Sequence, residues 1–387
     1  MIAPRRIATL LSLAALALLA AQAGAVPAPE MRGLWVVRTA LQSPEAVDRA
    51  VEQAARAGFN TLFVQVRGRG DAFYASKLVA RGGALAGQPA DFDPLQRLLE
   101  RARANGLSVH AWINVLLSAS FVAPLPAGHV VAGHPDWVMV PKSVALAALK
   151  PGAPLLSLAR QGAQSDPDVE GYYLSPAAPG VAEHLEQVVR ELVRGYPLDG
   201  LHFDFIRYPG KEYDYSASAL NSFGAKHRSR QPLQLALQSP ELYAEHRREL
   251  LSALVARLSQ AARQERPALA LSAAVVPDEA TARHQKFQDW PRWAARGWIG
   301  GLCPMSYSPD ERVFRAQVER ARELAATGAV WAGVPAYRLT FDELVQRVAV
   351  ARAAGASGVV FFSHESLQPG DLARLRREAF GEAVAAQ

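Results

Sequence analysis

Strand-like and helix-like segments alternate along almost the whole chain, and this alternation limits the possible folds more than any other feature of the sequence. Short apolar runs are followed by longer segments with helical periodicity. Eight strands are predicted, at 31–38, 59–67, 108–115, 198–207, 268–276, 298–307, 330–337 and 358–363. Helices are predicted at 43–57, 92–105, 181–194, 240–264, 289–296, 311–326, 341–354 and 369–379.

Repeated strand–helix units imply a parallel sheet whose faces are covered by helices. Eight such units with no leftover domain favour a closed (β/α)8 TIM barrel, and an open, doubly wound sheet is the alternative. The first strand continues into Leu34-Trp-Val-Val-Arg-Thr-Ala40, which lacks a Gly-rich phosphate-binding motif. We therefore expect a single α/β domain over 26–387 and predict no cofactor.

The first 25 residues have the pattern of a secretory signal peptide. Arg5 and Arg6 form a positive n-region, 7–21 is apolar, and Ala23-Gly24-Ala25 resembles a cleavage site. An uncleaved membrane anchor is the alternative, although the apolar run is shorter than the about 20 residues that a spanning helix needs. We expect an exported protein, periplasmic or secreted, that does not insert stably into the membrane after cleavage.

Composition excludes several classes of protein. The only cysteine is Cys303, so no intramolecular disulfide can form and a hydrophobic core must supply the stability. The net charge of +6 falls to about +4 without the signal segment, and the arginines are scattered along predicted helices. Without a basic stripe, a nucleic-acid partner is not expected.

Two insertions, 116–180 and 208–238, are too long for ordinary strand–helix loops. In a barrel both would rise from the face that carries the carboxyl ends of the strands, where active sites lie. We therefore expect them to form the walls of a substrate cleft.

The fourth predicted strand brings a carboxylate into an apolar segment. Residues 199–209 read Asp-Gly-Leu-His-Phe-Asp-Phe-Ile-Arg-Tyr-Pro, and the apolar strand pattern runs directly into Arg207 and Tyr208. Asp204 is surrounded by large apolar side chains, so it must be hydrogen-bonded, ion-paired or held protonated. It is either a reacting group or the structural partner of Arg207 or His202.

If the barrel closes, polar residues at the ends of the other strands face Asp204. Asp278, Glu279 and Glu365 are candidates for a second reacting carboxylate, as is Asp71, and each has the alternative of a loop charge or a turn cap. Candidate substrate-binding residues are Arg67, Asp71, Trp112, Asn114, His202, Arg207, Tyr208, Tyr307 and Tyr337.

Carboxylates together with aromatic rings are typical of glycoside cleavage. One carboxylic acid protonates the leaving oxygen, and a second carboxylate attacks the anomeric carbon or activates water. Other chemistries have less support, because His110 lacks the spacing of a metal site and no Gly-x-Ser-x-Gly motif is present. Cys303, inside an apolar strand, is predicted to be a core thiol. No metal site is predicted.

Several motifs, in this order, resemble the glycosyl-hydrolase-like family 10 of bacterial envelope proteins. They are Met-Arg-Gly-Leu-Trp-Val at 31–36, Phe-Asn-Thr-Leu-Phe-Val-Gln-Val-Arg at 59–67, Gly-Asp-Ala-Phe-Tyr-Ala-Ser at 70–76, His-Ala-Trp-Ile-Asn at 110–114, His-Pro-Asp-Trp-Val at 134–138, Tyr-Leu-Ser-Pro at 173–176, Asp-Gly-Leu-His-Phe-Asp at 199–204 and Arg-Tyr-Pro at 207–209. The resemblance covers about Met31 to Leu367.

The resemblance implies a TIM-barrel glycoside hydrolase that acts on a bacterial envelope polysaccharide, with peptidoglycan glycan strands as the substrate class. It also implies that Asp204 is a catalytic carboxylate. The sequence departs from the family pattern at Phe205, where many members have a second acidic residue, and at Val115, where proline is usual. A glycan-binding barrel without catalysis is the alternative, and a metal-dependent deacetylase would need two histidines and an aspartate near the barrel mouth.

Overall fold

Eight parallel strands close into a barrel in the computed structural model, which describes residues 29–122, 124–164 and 166–381. The strands are β1 (Met31–Val36), β2 (Thr61–Arg67), β3 (Ser108–Asn114), β4 (Gly200–Asp204), β5 (Ala270–Val275), β6 (Gly301–Pro304), β7 (Ala329–Pro335) and β8 (Gly358–Phe362). The ring closes because β1 pairs with both β2 and β8. The predicted (β/α)8 fold is confirmed, and the open doubly wound alternative is wrong.

Helices connect consecutive strands, and those between β1 and β8 begin and end within two residues of their predictions. They are Pro44–Arg56, Pro94–Ala104, Val181–Gly195, Pro240–Glu265, Trp290–Ala295, Glu311–Leu324 and Phe341–Ala353. After β8 the chain continues through the 3-10 turn Pro369–Asp371, the helical turn Leu372–Arg374 and the π-helical segment Leu375–Ala379.

Side-chain caps explain why the helix starts could be predicted. The hydroxyl of Ser43 accepts a hydrogen bond from the backbone N–H of Ala46 at 3.2 Å, directly before the proline that opens the first helix. Thr340 and Glu343 form a reciprocal capping box at the start of Phe341–Ala353. These contacts are local, so the sequence alone specifies them.

The strands are all slightly shorter than predicted, and β4 and β6 are shortened most, in both cases for a reason that lies in the backbone. β4 ends at Asp204 because Phe205 adopts a left-handed conformation with φ of 48°, which turns the chain away from the sheet. β6 ends at Pro304, which has no backbone N–H for further pairing. The early end of β4 brings 205–207 out of the barrel wall and toward its mouth.

The interior of the barrel is filled by rings from several strands. Trp35 donates from Nε1 to Nε2 of His202 at 3.3 Å, and Nδ1 of His202 lies 2.9 Å from the hydroxyl of Ser272. The ring of His110 packs directly on Gly200. A Cβ at position 200 would lie only 2.5 Å from Nδ1 of His110, so a larger residue would clash with this ring. Burial lowers the pKa of His110 to about 4, so this histidine is neutral at neutral pH. This layer forms the floor beneath the mouth.

The first insertion forms a small subdomain over the mouth. It carries a two-stranded antiparallel sheet, Leu117–Ala119 with Tyr172–Tyr173. Its helices are Val130–Gly133, Ala145–Ala148 and Leu155–Ala163. Gly171 is required for the sheet, because a Cβ there would lie 1.9 Å from the carbonyl oxygen of Ala119.

The second insertion, with helices Ala217–His227 and Pro232–Gln238, is bound to the first. The buried carboxylate of Asp214 accepts from the backbone N–H of Val140 at 3.0 Å and from that of Ser216 at 2.7 Å. The backbone N–H of Tyr215 donates to the carbonyl of Val140 at 2.7 Å. The two insertions therefore brace each other.

The predicted signal segment, 1–25, lies outside the described residues. The chain from Met31 onward forms one compact unit. Within the part of the chain that the structure describes, no helix has the length and apolar character needed to cross a bilayer.

Candidate functional site

A cavity of about 340 Å³ lies at the carboxyl ends of the barrel strands, where sequence analysis expected a site. Strand ends or the residues just after them contribute most of its wall. Its aromatic lining consists of Trp35, Trp112, Phe205, Tyr307 and Phe362, and its polar lining consists of Arg38, Gln65, Arg69, Asn114, Glu170, Asp204 and Arg207. A concave site at the barrel mouth that combines aromatic rings with converging polar groups is typical of a ligand-binding site.

Asp204 is the last residue of β4 and is only 7% exposed. Its Oδ1 accepts from the backbone N–H of Phe205 at 2.6 Å and from Arg207 at 3.1 Å. Its Oδ2 has no donor among the described residues, so one oxygen is anchored and the other is available to a ligand. Holding a bulky residue such as Phe205 at positive φ costs about 1–3 kcal/mol, and such strain is concentrated at functional sites.

Arg207 is held by two contacts at once. Besides its ion pair with Asp204, its guanidinium lies 4.1 Å from the centroid of the Phe205 ring. The side chains of Arg207 and Asp204 are 14% and 9% exposed, so the pair is largely withdrawn from water. The cation compensates a carboxylate that would otherwise be costly in this position.

A chain of hydrogen bonds fixes the polar residues at the ends of β2 and β3. Asn114 lies beside Asp204 in the strand register and donates to the carbonyl of Gly68 at 2.7 Å. Its Oδ1 accepts from Trp112 at 3.0 Å and from Gln65 at 3.4 Å. Trp112 and Asn114, two residues apart on β3, both line the cavity, and these hydrogen bonds fix their orientations before any ligand binds.

Aromatic side chains at or just after the ends of β6, β7 and β8 pack against one another at the mouth. Tyr307 stacks on Phe362 with ring centroids 5.9 Å apart. Tyr337 meets Tyr307 edge-on at 6.3 Å and remains 51% exposed, so its ring extends this surface toward solvent. Burial and the nearby carboxylate of Asp204 raise the pKa of Tyr307 well above its usual value, which keeps its hydroxyl protonated.

Five predicted substrate-binding residues lie outside the cavity lining: Asp71, the exposed Tyr337, and three buried residues, Arg67, His202 and Tyr208. Arg67 is fully buried beneath the mouth, where it donates to the carbonyl of Asn114 and to the hydroxyl of Ser118. His202 belongs to the interior layer described above. Tyr208 is buried edge-on against Phe287 at 5.2 Å. The sequence placed the three buried residues on the correct strands but could not show their depth.

The predicted partner carboxylates also lie away from this cavity. Asp278 accepts from the backbone N–H of Thr281 at 2.8 Å and caps the helix Glu279–Gln285. Glu279 pairs with Arg320 at 2.8 Å. Glu365 is exposed and accepts from the hydroxyl of Thr39 at 2.5 Å. Asp71 accepts from the backbone N–H of Arg69 at 2.8 Å and lines a neighbouring cavity.

Sequence reasoning missed the second carboxylate of the cavity lining, Glu170. It lies in the first insertion, two residues before Tyr172, with no strand or helix pattern to indicate its position. Arg69, which contacts it, was also missed, although it lies in the Arg-Gly-Arg-Gly-Asp stretch at 67–71. The one available signal was their neighbourhood, since both are adjacent to motifs that support the family resemblance.

Metal ligands do not gather at the mouth. Among the described residues, no three His, Cys, Asp or Glu side chains form a group that could hold a metal ion. The deacetylase interpretation, which needs two histidines and an aspartate there, therefore gains no support from the donor set. Cys303 is buried in the barrel interior, as predicted for a core thiol.

Solved structures share this architecture. The glycoside hydrolase domain of PgaB (BpsB) from Bordetella bronchiseptica is similar with a TM-score of 0.66 and 14% identity, over 91% of this chain and 99% of that domain. The catalytic domain of a beta-amylase from Paenibacillus polymyxa gives a TM-score of 0.59 and 11% identity, over 89% of this chain and 95% of that one. At these identities the likeness establishes the TIM-barrel fold.

Sequence relatives and the family model are more specific. Glycosyl hydrolase DigH of Escherichia coli K12 is 23% identical over 333 residues, 73% of this chain and 66% of DigH. Glycosyl hydrolase YngK of Bacillus subtilis is 25% identical over 189 residues, 47% of this chain and 31% of YngK. The chain thus spans slightly less than two thirds of DigH. The family model described as Glycosyl hydrolase-like 10 matches residues 30–337, and the chain therefore belongs to that family.

Proposed function

We propose that this protein is an exported glycoside hydrolase that cleaves a bacterial envelope polysaccharide, with peptidoglycan glycan strands as the substrate class. The observation that carries the proposal is the position of Asp204 and the hydrogen bonding of its two carboxylate oxygens. Its carboxylate lies in an aromatic-walled cavity at the barrel mouth, with one oxygen anchored and the other without a protein donor among the described residues. The second oxygen is not among the buried polar atoms and faces the cavity, as a reacting carboxylate requires.

The chemistry is a consequence of this geometry. Cleavage of a glycosidic bond passes through an oxocarbenium-like state, and a carboxylate at the anomeric carbon either attacks it or activates a water molecule. Oδ2 of Asp204 is the atom that would do so. Arg207 and the N–H of Phe205 hold Oδ1, so the reacting oxygen keeps its direction during turnover.

The walls suit a sugar ring. Trp112, Tyr307 and Phe362 offer flat apolar faces, while Asn114 and Gln65 provide amide groups that are already oriented. Arg38 and Arg69 add positive charge, which favours glycans with carboxylate or lactyl substituents over neutral ones. The hydrolase names of DigH and YngK support an activity of this class, and the signal-like pattern of residues 1–25 supports export.

The test is product release from defined glycans. Purified protein is incubated with intact peptidoglycan, with peptidoglycan freed of its peptides, and with neutral polysaccharides, and the soluble products are analysed by mass spectrometry. We expect fragments from one peptidoglycan form and a release that is lower by about 10²- to 10⁴-fold with Asp204→Asn. Asp310→Asn is the matched control, because Asp310 caps the helix Glu311–Leu324 outside the cavity and asparagine keeps a cap.

Each outcome is informative. Release of products by Asp204→Asn at the wild-type rate would make Asp204 structural. Binding of a glycan without any product from the wild type would show a glycan-binding barrel instead of an enzyme. Products from a neutral polysaccharide alone would keep the reaction class and overturn the peptidoglycan assignment.

A further inference from the structure

Glycoside cleavage by Asp204 needs a second proton-transferring group within reach of the same bond. The cavity lining contains two carboxylates among its described residues, Asp204 and Glu170. We propose that Glu170 is the second reacting carboxylate of this site. The inference rests on the proposed function and names the group that protonates the leaving oxygen.

The backbone around Glu170 is closely constrained. The next residue, Gly171, passes so near the carbonyl of Ala119 that no side chain fits there. Tyr172 then packs edge-on against Phe121 with ring centroids 4.7 Å apart. These contacts fix the segment at the small antiparallel sheet, so Glu170 is placed at the mouth by a rigid element rather than by a free loop.

Arg69 holds the residue from the barrel side. Its NH1 donates to the backbone carbonyl of Glu170 at 3.0 Å, and its NH2 lies 3.5 Å from Oε2. Oε1 of Glu170 has no donor among the described residues. Its side chain is 47% exposed, so a proton can be exchanged with solvent between turnovers. The Arg69–Glu170 pair thus resembles the Arg207–Asp204 pair. In each pair one carboxylate oxygen lies near the guanidinium and the other has no protein donor among the described residues.

Tyr173 lies close enough to the carboxylates of Glu170 and Asp204 for their charges to change the pKa of its hydroxyl. Burial raises the pKa of its hydroxyl above the usual range, and the charges of Glu170 and Asp204 both add to the rise, while Arg207 opposes it. Its ring lies 6.2 Å from that of Phe205, the residue that follows Asp204. Tyr173 thus lies near both carboxylates, of which Asp204 belongs to the barrel and Glu170 to the first insertion, and both line the same cavity.

The other acidic candidates have different roles in the structure. Asp278 is used as a helix cap, Glu279 pairs with Arg320, and Glu365 contacts Thr39 away from the cavity. Asp71 accepts from the backbone N–H of Arg69 and lines a neighbouring cavity, so none of the four candidates lines the cavity that contains Asp204. Glu170, by contrast, lines the same cavity as Asp204.

The reaction balances with these two groups. Protonated Glu170 gives its proton to the glycosidic oxygen, which leaves as a hydroxyl with the bonding electron pair. Water then supplies its oxygen to the anomeric carbon. Its proton goes to Asp204 if water attacks directly, or to the Glu170 carboxylate if Asp204 has first formed a covalent intermediate. One water is consumed in either route, and no oxidant or cofactor is needed.

The experiment compares Glu170→Gln with Glu365→Gln and Glu212→Gln on the glycan that the wild type cleaves. Glu212 is an exposed residue of the second insertion, 3.7 Å from Lys142 and outside the cavity. For Glu170→Gln we expect turnover to fall by about 10²- to 10⁴-fold while KM stays within a few fold. The alkaline limb of the pH–rate profile, where a proton donor is lost, should disappear.

Three results would overturn the inference while leaving the proposed function intact. They are wild-type turnover by Glu170→Gln, a raised KM with unchanged turnover, and an equal loss of turnover in Glu365→Gln. A wild type that releases nothing from any glycan would instead overturn the proposed function and, with it, this role of Glu170. Glu170→Asp, which keeps the carboxylic acid on a shorter side chain, should recover part of the turnover that Glu170→Gln loses.

Discussion

Asp204 and Asp278 look alike in the sequence, since each comes at the end of a buried barrel strand near the mouth, yet the structure uses them in opposite ways. Asp204 is 7% exposed, lines a cavity and keeps one oxygen available. Asp278 lies outside that cavity and accepts a hydrogen bond from Thr281 as the cap of a short helix.

The difference arises from the conformation of the next residues along the chain. After Asp204, the left-handed turn at Phe205 brings Arg207 back onto the carboxylate. After Asp278, the chain enters the helix Glu279–Gln285. The Asp278 carboxylate accepts a hydrogen bond from a backbone N–H in the first turn of this helix, which has no partner within the helix. A position at the end of a strand therefore selects candidates, and the adjoining turn or helix decides which of them can react.

The largest expected effect is the difference in turnover between variants of Asp204 and Asp278. Asp204→Asn should lower the rate of glycan cleavage by about 10²- to 10⁴-fold, because the reacting oxygen loses its charge. Asp278→Asn should stay within about threefold of wild type, since asparagine also caps helices. The measurement is the rate of release of reducing ends. An equal loss in both variants would contradict the distinction.

A second prediction concerns whether the residues below Asp204 in the barrel interior contact the glycan or only stabilise the fold. His202, two residues earlier on β4, contacts Trp35 and Ser272 in the barrel interior. His202→Ala should lower the free energy of unfolding by about 2–4 kcal/mol, because it leaves a cavity and two unpaired polar groups. Denaturant unfolding and glycan binding are compared. A large loss of affinity in protein of unchanged stability would make His202 a ligand contact.

A third prediction concerns the cation beside Asp204. Arg207→Met keeps an apolar stem over Phe205 but removes the partner of a largely buried carboxylate, so stability should fall by about 1–3 kcal/mol. Arg207→Lys should restore part of this loss. Arg257→Met, which removes a more exposed ion pair with Glu186, is the control and should cost at most about 1 kcal/mol. Equal losses would show that the burial of the Arg207 pair does not matter.

The smallest expected effect tests the role of Asp278 as a cap. Asp278→Ala should lower stability by about 0.5–2 kcal/mol without changing turnover. Hydrogen bonds from Thr281 lower the pKa of Asp278 from its usual 3.8. The stabilisation is therefore present above that unfolded value and is lost as the pH falls through the lowered folded value. The difference in stability between wild type and variant should thus shrink in acid; a constant difference would contradict the assignment.

Local signals made much of the fold predictable. The eight strands and the helix starts at Ser43 and Thr340 depend on periodicity and on contacts within a few residues. Asp204 could be selected as a candidate for the same reason, because a carboxylate within an apolar strand is unusual wherever the strand lies.

Glu170 and the buried positions of Arg67 and His202 could not be predicted in this way. Glu170 reaches the cavity through a contact between Gly171 and Ala119, which are far apart in the chain. The depth of His202 depends on side chains that β1, β3 and β5 bring into the same layer, the rings of Trp35 and His110 and the hydroxyl of Ser272. Such placements arise from packing between distant segments, which leaves no periodic trace in the sequence.

By itself the sequence determined that this chain forms an eightfold ring of strands and helices with a carboxylate at the end of β4, because hydrophobic period and capping act over short distances. Only the tertiary structure decided which acidic residues share a cavity. That choice depends on the turn at Phe205 and on how the first insertion folds back over the mouth, and both are outcomes of long-range packing.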